Sequence, residues 1–439
     1  MRTTNQHKTA SQSGHSSFKP SKRPVPAGLA RFAFALAAAL FASAAAVQAQ
    51  TWATVDDAAG ATYENVYQIT SDSAGNIFAA GTMRDATERY HAVIMKSSDS
   101  GATWGTVVDY PAVNDLSAPN GAGALFRTIT SADVGGERHL VATGFYRRVN
   151  RAGFTPQWLT IRSKDAGVTW ETLDEYVHPL YYPSLPRDIA VDANGNIYMV
   201  TLAKEGTAGT GNSRWLIRKG LATPGGMTWS MAGDFLYPDG YESDHGHEAD
   251  GATGVACVGS NVFVVGGGGM TWTVRKSSNG GSTWQVVDTF RYFKNGISGA
   301  FDVAADSAGN VYVAGFSYKL GSQLFVRKGT SGGTRWSTVD QFNLPGGTYA
   351  EGRGITIDSN DNVHVTGMAS STQLNWVTRQ RSAATGTWST TDLFSLAPNQ
   401  TTFGKSIAAD PAGNLFAAGY GYDAASAYHG WIVRRKLAP

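Results

Sequence analysis

The octapeptide SSDSGATW at residues 97–104 recurs as SKDAGVTW at 163–170 and, with Asn in place of Asp, as SSNGGSTW at 277–284. Each copy keeps Ser, Asp or Asn, Gly, Thr and Trp at the same offsets. A motif repeated in this way is either a site that works several times or a piece of architecture. The two possibilities place the function in different parts of the molecule.

The residues of the first copy explain the repetition in terms of local structure. The Asp99 carboxylate can accept backbone N–H bonds within its own turn. Gly101 supplies a backbone conformation that a β-carbon disfavours. Thr103 can bond back across the turn, and Trp104 can bury a large ring between neighbouring units. None of this chemistry needs a substrate, so the motif predicts a turn that stabilises the fold.

Two further features recur with the octapeptides. A second recurring strand, such as QLFVRKG, appears seven times, and a Trp-led strand follows six of these copies. Each unit therefore offers four short alternating runs, which is typical of a four-stranded antiparallel sheet with a period of about 50–65 residues. Each unit also carries an Asp-x-x-Gly-Asn hairpin or a variant of it, and the five clear copies lie at 72–81, 192–201, 306–315, 358–367 and 410–419.

The missing seventh Trp-led strand lies at the other end of the repeats. The last unit stops at GWIVRRKLAP, whereas TWATVDD at residues 51–57 has the Thr-Trp start and a strand after it. A ring whose last blade combines strands from both termini has no open seam, which removes edges that invite aggregation. The sequence therefore predicts an all-β, seven-bladed β-propeller of four-stranded antiparallel blades, closed by the N-terminal strand.

Composition agrees with this fold class and narrows the function. The chain has 439 residues with 52 Gly, 11% aromatic and 16% charged residues, which disfavours disorder and suits many short strands joined by tight turns. A net charge of +2 gives no reason to expect nucleic acid as a partner. Cys257 is the single cysteine, so no internal disulfide can form.

The N-terminal segment has the pattern of an export signal. A polar stretch with basic residues precedes the apolar run FAFALAAALFASAAAV, which ends in a small-x-small pattern before Gln50. We expect a signal peptide with an extended n-region at 1–49, a single propeller domain at 50–439 and a secreted or periplasmic location. The alternative is an uncleaved anchor, although the run is short for a bilayer span of about 20 apolar residues. No later segment is apolar enough to span a membrane.

The octapeptide resembles the Asp-box (BNR) repeat of the sialidase-like β-propeller superfamily, and the Asp-x-x-Gly-Asn hairpins resemble the β-propeller repeats of secreted bacterial proteins. The resemblance covers essentially the whole chain after the signal peptide. It implies the fold rather than one activity, because this superfamily includes sialidases, other glycosidases, receptors and assembly factors. The structural Asp-box residues implied by the resemblance are Asp99, Trp104, Asp165, Trp170, Asn279 and Trp284.

Aligning the units on their hairpins places one residue per blade near the mouth of the central channel. Four of the seven are basic, which favours a carboxylate, sulfate or phosphate because guanidinium groups bind such anions bidentately. The alternative is that these side chains pair with neighbouring acids and only line the channel. The seven aligned residues are Tyr67, Arg127, Arg187, Thr253, Phe301, Arg353 and Lys405, and Tyr67 and the four basic residues are the candidate ligand-binding set.

No complete catalytic constellation can be recognised. Sialidases have six blades, so their catalytic positions do not transfer to seven blades. The loop at 237–251 combines His with several acids, but its spacing matches no established metal site, and a solvated acidic loop is the alternative. The candidate catalytic residues are Tyr67, Glu351, Asp188, His247 and Glu248.

These observations predict an exported, monomeric binding protein that recognises an anionic glycan or a protein ligand on the face with variable loops. The alternative is an enzyme, either a sialidase-like glycoside hydrolase or a polysaccharide lyase acting on uronates. Nothing in the sequence assigns a metal or cofactor, although a structural cation remains compatible with the motifs. Nucleic acid is not an expected partner.

Overall fold

A computed structural model provides the structure of the chain. It describes residues 51–57, 65–84, 90–110, 123–179, 181–182, 186–205, 213–236, 251–268, 270–330, 332–423, 425 and 428–438, except 151–152. The predicted signal peptide at 1–49 and the candidates His247 and Glu248 lie outside the described residues.

The described strands form seven antiparallel sheets, and six of them are built from strands consecutive in sequence. Blade one contains β2 (Asn65–Ser71), β3 (Ile77–Arg84), β4 (Tyr90–Ser97) and β5 (Gly105–Tyr110). Blade two contains β6 (Ala124–Val134), β7 (Glu137–Asn150), β8 (Gly153–Ser163) and β9 (Glu171–Tyr176). Blade three contains β10 (Tyr181–Tyr182), β11 (Pro186–Val191), β12 (Ile197–Glu205), β13 (Ser213–Thr223) and β14 (Gly226–Leu236).

Blades four to seven repeat the same four-stranded plan. Blade four contains β15 (Gly251–Val258), β16 (Asn261–Gly268), β17 (Thr271–Ser277) and β18 (Gln285–Phe290). Blade five contains β19 (Ile297–Ala305), β20 (Val311–Tyr318), β21 (Ser322–Gly329) and β22 (Trp336–Phe342). Blade six contains β23 (Tyr349–Ile357), β24 (Val363–Ser370), β25 (Leu374–Arg381) and β26 (Trp388–Phe394). Blade seven contains β27 (Thr402–Ala409), β28 (Leu415–Tyr422), β29 (Tyr428–Lys436) and, from the N-terminal end, β1 (Ala53–Asp57).

The closure of the ring follows the prediction. Strand β1 pairs antiparallel with β29, with Ala53 opposite Arg435 and Asp57 opposite Ile432. Trp52, just before β1, is only 8% exposed and packs with Trp376 and other apolar side chains of blades six and seven. The structure therefore confirms a seven-bladed all-β propeller closed by the N-terminal strand.

The core lies between the blades, where apolar side chains of neighbouring sheets meet. In five blades a fully buried Trp lies on the strand next to the outermost one, and these rings fill most of the seams. They are Trp158, Trp215, Trp272, Trp376 and Trp431, on blades two, three, four, six and seven. In several blades the hairpin motif ends in a Gly that lies against such a Trp, where a side chain would have no room. A β-carbon on Gly315, for example, would lie 2.8 Å from the Trp272 ring and 2.1 Å from the Gly299 carbonyl oxygen.

The octapeptide turn has the hydrogen bonds that its sequence suggests. The backbone N–H of Thr103 donates to Asp99 Oδ1 at 2.9 Å, and the Thr103 hydroxyl donates to Oδ2 at 2.6 Å. These bonds, with one from the Ser97 hydroxyl, lower the pKa of Asp99 to about 2. Left-handed backbone occurs at two successive positions, Ser100 (φ 56°) and Gly101 (φ 82°).

The third copy shows that an amide can replace the carboxylate. Asn279 Oδ1 accepts the Thr283 N–H at 2.9 Å, and Asn279 Nδ2 donates to the Thr283 hydroxyl at 2.9 Å. Both bonds are therefore kept in this copy. The direction of the second is reversed, because the Asn279 amide donates to the Thr283 hydroxyl, whereas the Thr103 hydroxyl donates to Asp99. Its Trp284 packs in the seam between blades three and four and donates to the Ala232 carbonyl oxygen at 2.8 Å.

Bidentate ion pairs join successive blades, a feature that the sequence analysis missed. In each pair an Arg on the third strand of one blade binds an Asp on the outer strand of the preceding blade. Arg379, for instance, donates to both oxygens of Asp340 at 2.6 and 2.8 Å and lies 4.0 Å from the centre of the Phe342 ring. The other pairs of this kind are Arg218 with Asp174, Arg327 with Asp288 and Arg434 with Asp392.

Candidate ligand site at the channel mouth

A β-bulge interrupts the innermost strand of every blade at the residue that the alignment singles out. In blade one, for example, the pairing of β2 with β3 shifts between Val66 and Gln68, so Tyr67 is the extra residue. A bulge redirects a side chain that regular alternation would place on a sheet face. The other six bulged residues are Arg127, Arg187, Thr253, Phe301, Arg353 and Lys405.

All seven bulged residues line one cavity of about 90 Å³, together with Gln68, Asp188, Asp302 and Ser406. Because every blade contributes, the cavity lies on the axis of the propeller. The bulges fall near the beginning of the inner strands, so the cavity opens towards the end with the connections between blades. A volume of this size accommodates several water molecules or one small charged group, and it is far below the roughly 300 Å³ of a typical ligand pocket.

Most of the basic side chains in the cavity rest on aromatic rings. The Arg127 guanidinium carbon lies 4.7 Å from the centre of the Tyr67 ring. Arg353 lies 4.7 Å from the Phe301 ring, and Lys405 Nζ lies 5.3 Å from the Tyr420 ring. A cation over an aromatic face is attracted by the ring, which holds the side chain in place.

Arg353 also has an acidic partner. Its Nη2 lies 3.0 Å from Glu351 Oε2, and Glu351 Oε1 accepts a hydrogen bond from the Tyr349 hydroxyl. Glu351 is 2% exposed and does not belong to the residues that line the cavity. This candidate catalytic residue is therefore placed where it orients Arg353 rather than where it could touch a ligand.

Two carboxyl groups, the buried Asp188 and the partly buried Asp302, line the cavity directly. Asp188 accepts hydrogen bonds from the Thr128 hydroxyl at 3.2 Å and from the Val255 N–H at 2.8 Å. Asp302 accepts the N–H groups of Val303 at 2.7 Å and of Ile355 at 2.9 Å. Burial raises the pKa of both groups, and the charge of Asp188 raises that of Asp302 further.

These carboxyl groups connect the blades as well as facing the cavity. Asp188 of blade three binds backbone of blade four, and Asp302 of blade five binds backbone of blade six. The hydroxyl of Ser406 does the same from blade seven, since it accepts the Ile69 N–H at 3.2 Å. In blades three, five and seven the residue after the bulge thus supports the ring while the bulged residue faces the channel.

The structure brings the five candidate ligand-binding residues, including Tyr67, to one place together with Asp188 of the catalytic set. Gln68, Asp302 and Ser406 were not among the candidates. Their position directly after the bulged residues of blades one, five and seven is the sequence signal that could have identified them. Among the described residues, no group of three or more His, Cys, Asp or Glu side chains is arranged to hold a metal ion.

Cys257 lies on β15, the innermost strand of blade four, and burial raises its pKa to about 12. The thiol therefore stays protonated and has no nucleophilic role at ordinary pH. The part of the chain that the structure describes contains no helix long and apolar enough to cross a membrane.

Comparison with protein families gives one match. Residues 339–375, from the outer strand of blade five to the third strand of blade six, match the SBBP beta-propeller repeat. The match to a propeller repeat agrees with the fold of these two blades. No curated protein matches the chain significantly.

Solved structures show the same fold at low sequence identity. A GH74 enzyme from Niastella koreensis is 16% identical, with a TM-score of 0.50 over 86% of this chain and 55% of that one. A Trypanosoma rangeli sialidase is 12% identical, with a TM-score of 0.46 over 85% and 55%. A protein of unknown function from Dyadobacter fermentans is 12% identical, with a TM-score of 0.43 over 88% and 99%. The chain thus corresponds to just over half the length of the first two, and the likeness to the GH74 enzyme concerns the fold alone.

Proposed function

We propose that the protein is an exported binding propeller whose channel mouth holds the anionic group of a glycan or protein ligand. The observation that carries this proposal is the convergence of Arg127, Arg187, Arg353 and Lys405 in one cavity. These residues belong to blades two, three, six and seven, and Tyr67 of blade one lies between the two pairs. The positive charge forms one arc, which suits a carboxylate, sulfate or phosphate.

The size of the cavity supports binding of a group rather than of a whole molecule. About 90 Å³ admits a carboxylate or sulfate, while the rest of the ligand must stay on the outer face. Each charge-assisted hydrogen bond contributes roughly 1.5–3 kcal/mol. Two or three such bonds together contribute roughly 3–9 kcal/mol, which corresponds to binding from the millimolar to the micromolar range.

Calorimetry with galacturonic acid and N-acetylneuraminic acid tests the proposal. The variant combines Arg127→Met with Lys405→Met and leaves Arg353 in place, because buried Glu351 would otherwise lose its cation. We expect affinity to fall at least about tenfold and to lose its salt dependence. The control removes two exposed charges from the opposite face, with Lys164→Met and Arg335→Met. Equal binding by the channel variant and wild type would mean that the arc only lines the channel.

A second candidate function is a glycan-cleaving enzyme, either a sialidase-like glycoside hydrolase or a polysaccharide lyase acting on uronates. Its supporting observation is that Tyr67, Asp188 and Asp302 line the cavity that the basic residues line. A carboxyl group with a raised pKa can act as a general acid near neutral pH. Release of fluorophore from sialosides and uronides, and its loss in Asp302→Asn, would favour this function over binding alone.

A further inference from the structure

Four aromatic side chains lead away from the cavity along blade seven. Lys405, which lines the cavity, has its Nζ 5.3 Å from the Tyr420 ring. Phe403 stacks on Tyr420 with ring centres 4.7 Å apart. Tyr428 follows at 5.9 Å from Tyr420, and Tyr422 lies 5.3 Å from Tyr428. We call Phe403, Tyr420, Tyr428 and Tyr422 the aromatic track.

The strand register explains why these rings share one surface. Phe403 on β27 is opposite Tyr420 on β28, and Tyr422 on β28 is opposite Tyr428 on β29. Opposite residues of an antiparallel pair point to the same side of the sheet, as do residues two apart on one strand. The track therefore crosses the first three strands of the blade, from the channel outwards, at the end where the cavity opens.

The track lies along the seam between blades seven and one. The Tyr428 hydroxyl donates a hydrogen bond to Asn65 Oδ1 at the beginning of β2 in blade one. Tyr422, on β28, is 37% exposed and is the most exposed of the four rings, and the other three are partly exposed. The seam is also the middle of the positive arc, since blades six and seven lie on one side of it and blades two and three lie beyond blade one.

Blade five shows that the propeller repeat does not require this track. Tyr318 corresponds to Tyr422 in strand position and has the same 37% exposure. Its cross-strand neighbour is Ser322, however, where blade seven has Tyr428. Gly299 stands at the position of Phe403, opposite Phe316. Blade five does have two rings next to the cavity, Phe301 and Phe316 with centres 5.6 Å apart, but the set of four rings is not repeated there and is therefore not required by the fold.

We propose, resting on the function proposed above, that the ligand is an acidic oligosaccharide whose terminal anionic group enters the cavity and whose following sugar units lie on the aromatic track. The cavity is too small for a sugar ring, so the chain must continue onto the outer face. The C–H faces of pyranose rings pack on aromatic rings, and tyrosine hydroxyls add hydrogen bonds to sugar hydroxyls. Tyr428 lies 5.9 Å from Tyr420 and 5.3 Å from Tyr422, so these three rings are close enough together to contact adjacent units of one saccharide chain.

Affinity measured against chain length tests this inference. Calorimetry would use oligogalacturonides and oligomers of sialic acid from one to four units, with methyl-esterified oligogalacturonides as neutral ligands of the same backbone. For wild type we expect affinity to rise about tenfold from one unit to three. Tyr422→Ala should remove much of this gain and leave binding of the single unit unchanged. Tyr318→Ala, the matched control with the same exposure, should leave both unchanged.

The possible outcomes separate this inference from the function on which it rests. If single units bind through Arg127 and Lys405 but longer chains bind no better, the proposed binding of sugar units on the aromatic track is wrong, and the proposed anion site in the cavity is kept. If acidic peptides such as tetraglutamate gain affinity through Tyr422 while saccharides do not, the occupant is a protein and the saccharide inference is overturned. If no acidic ligand binds, both proposals fail. Equal affinity for esterified and free oligogalacturonides would also contradict both.

Discussion

Removal of the closing strand should destabilise the propeller mainly through the loss of Trp52. This side chain is 8% exposed and packs with Trp376, Ile407 and Ile432. A buried aromatic side chain removes about 150–250 Å² from water, which at about 25 cal/mol per Å² corresponds to about 4–6 kcal/mol. Trp→Ala changes in cores typically cost about 3–5 kcal/mol.

The remaining contacts of the strand add less. The Thr54 hydroxyl accepts a hydrogen bond from Arg434 Nη1 at 3.1 Å, but Arg434 keeps its pair with Asp392. Asp57 is partly exposed and lies 2.7 Å from His429 Nδ1. We therefore expect Trp52→Ala to account for most of the stability lost on deleting residues 51–57.

Urea unfolding of the chain 50–439, of its Trp52→Ala variant and of the chain 58–439 measures these differences. Both changes should lower the free energy of unfolding by at least about 3 kcal/mol. The deletion should also aggregate more, because β29 would present a free edge. A synthetic peptide of residues 50–58 should restore part of the lost stability. Unchanged stability and solubility in the deletion would refute closure by strand sharing.

Three further changes test the turns, the seams and the cavity. Asp99→Asn should lower the melting temperature less than Asp99→Ala, because the amide can keep both hydrogen bonds to Thr103. Asp99→Asn should also remove the part of the loss of stability in acid that comes from protonating Asp99 as the pH falls through the low pKa of its folded state. Equal melting temperatures of the two variants would contradict this. Arg379→Met should lower the free energy of unfolding in urea by about 3–5 kcal/mol, because it leaves buried Asp340 unpaired. The double variant Arg379→Met with Asp340→Leu should recover most of that loss. Additive losses from the two substitutions would show that the two side chains do not interact. Anion binding measured by calorimetry should strengthen as pH falls from about 8 to about 5, because protonation of Asp188 and Asp302 removes negative charge from the cavity. Asp302→Asn should flatten this dependence of affinity on pH. An unchanged pH dependence in the variant would place the titrating group elsewhere.

Alignment of the repeats identified one residue per blade that lines the channel. In the five clear copies of the hairpin this residue lies five positions before the first Asp, so counting back from the hairpin reaches the same position, and the seven aligned positions are the bulged ones. Glu351 lies two residues before Arg353, and the shift in register between them interrupts the alternation of a regular strand. Its side chain is therefore buried beside the arginine instead of facing the cavity.

The sequence by itself determined the number of blades, the hairpins and turns, and the completion of the last blade by the N-terminal strand. These depend on local signals of fixed spacing, because each turn bonds mostly to itself and each strand alternates with a period of two. Only the tertiary structure decided which side-chain contacts surround the aligned channel residues and join the blades. The bulges, the carboxyl groups of Asp188 and Asp302, the Arg–Asp pairs across the seams and the aromatic track of blade seven all depend on contacts between segments far apart in sequence. One sequence carries no record of which strands and blades become neighbours at the side-chain level, so these features follow only once the ring is closed.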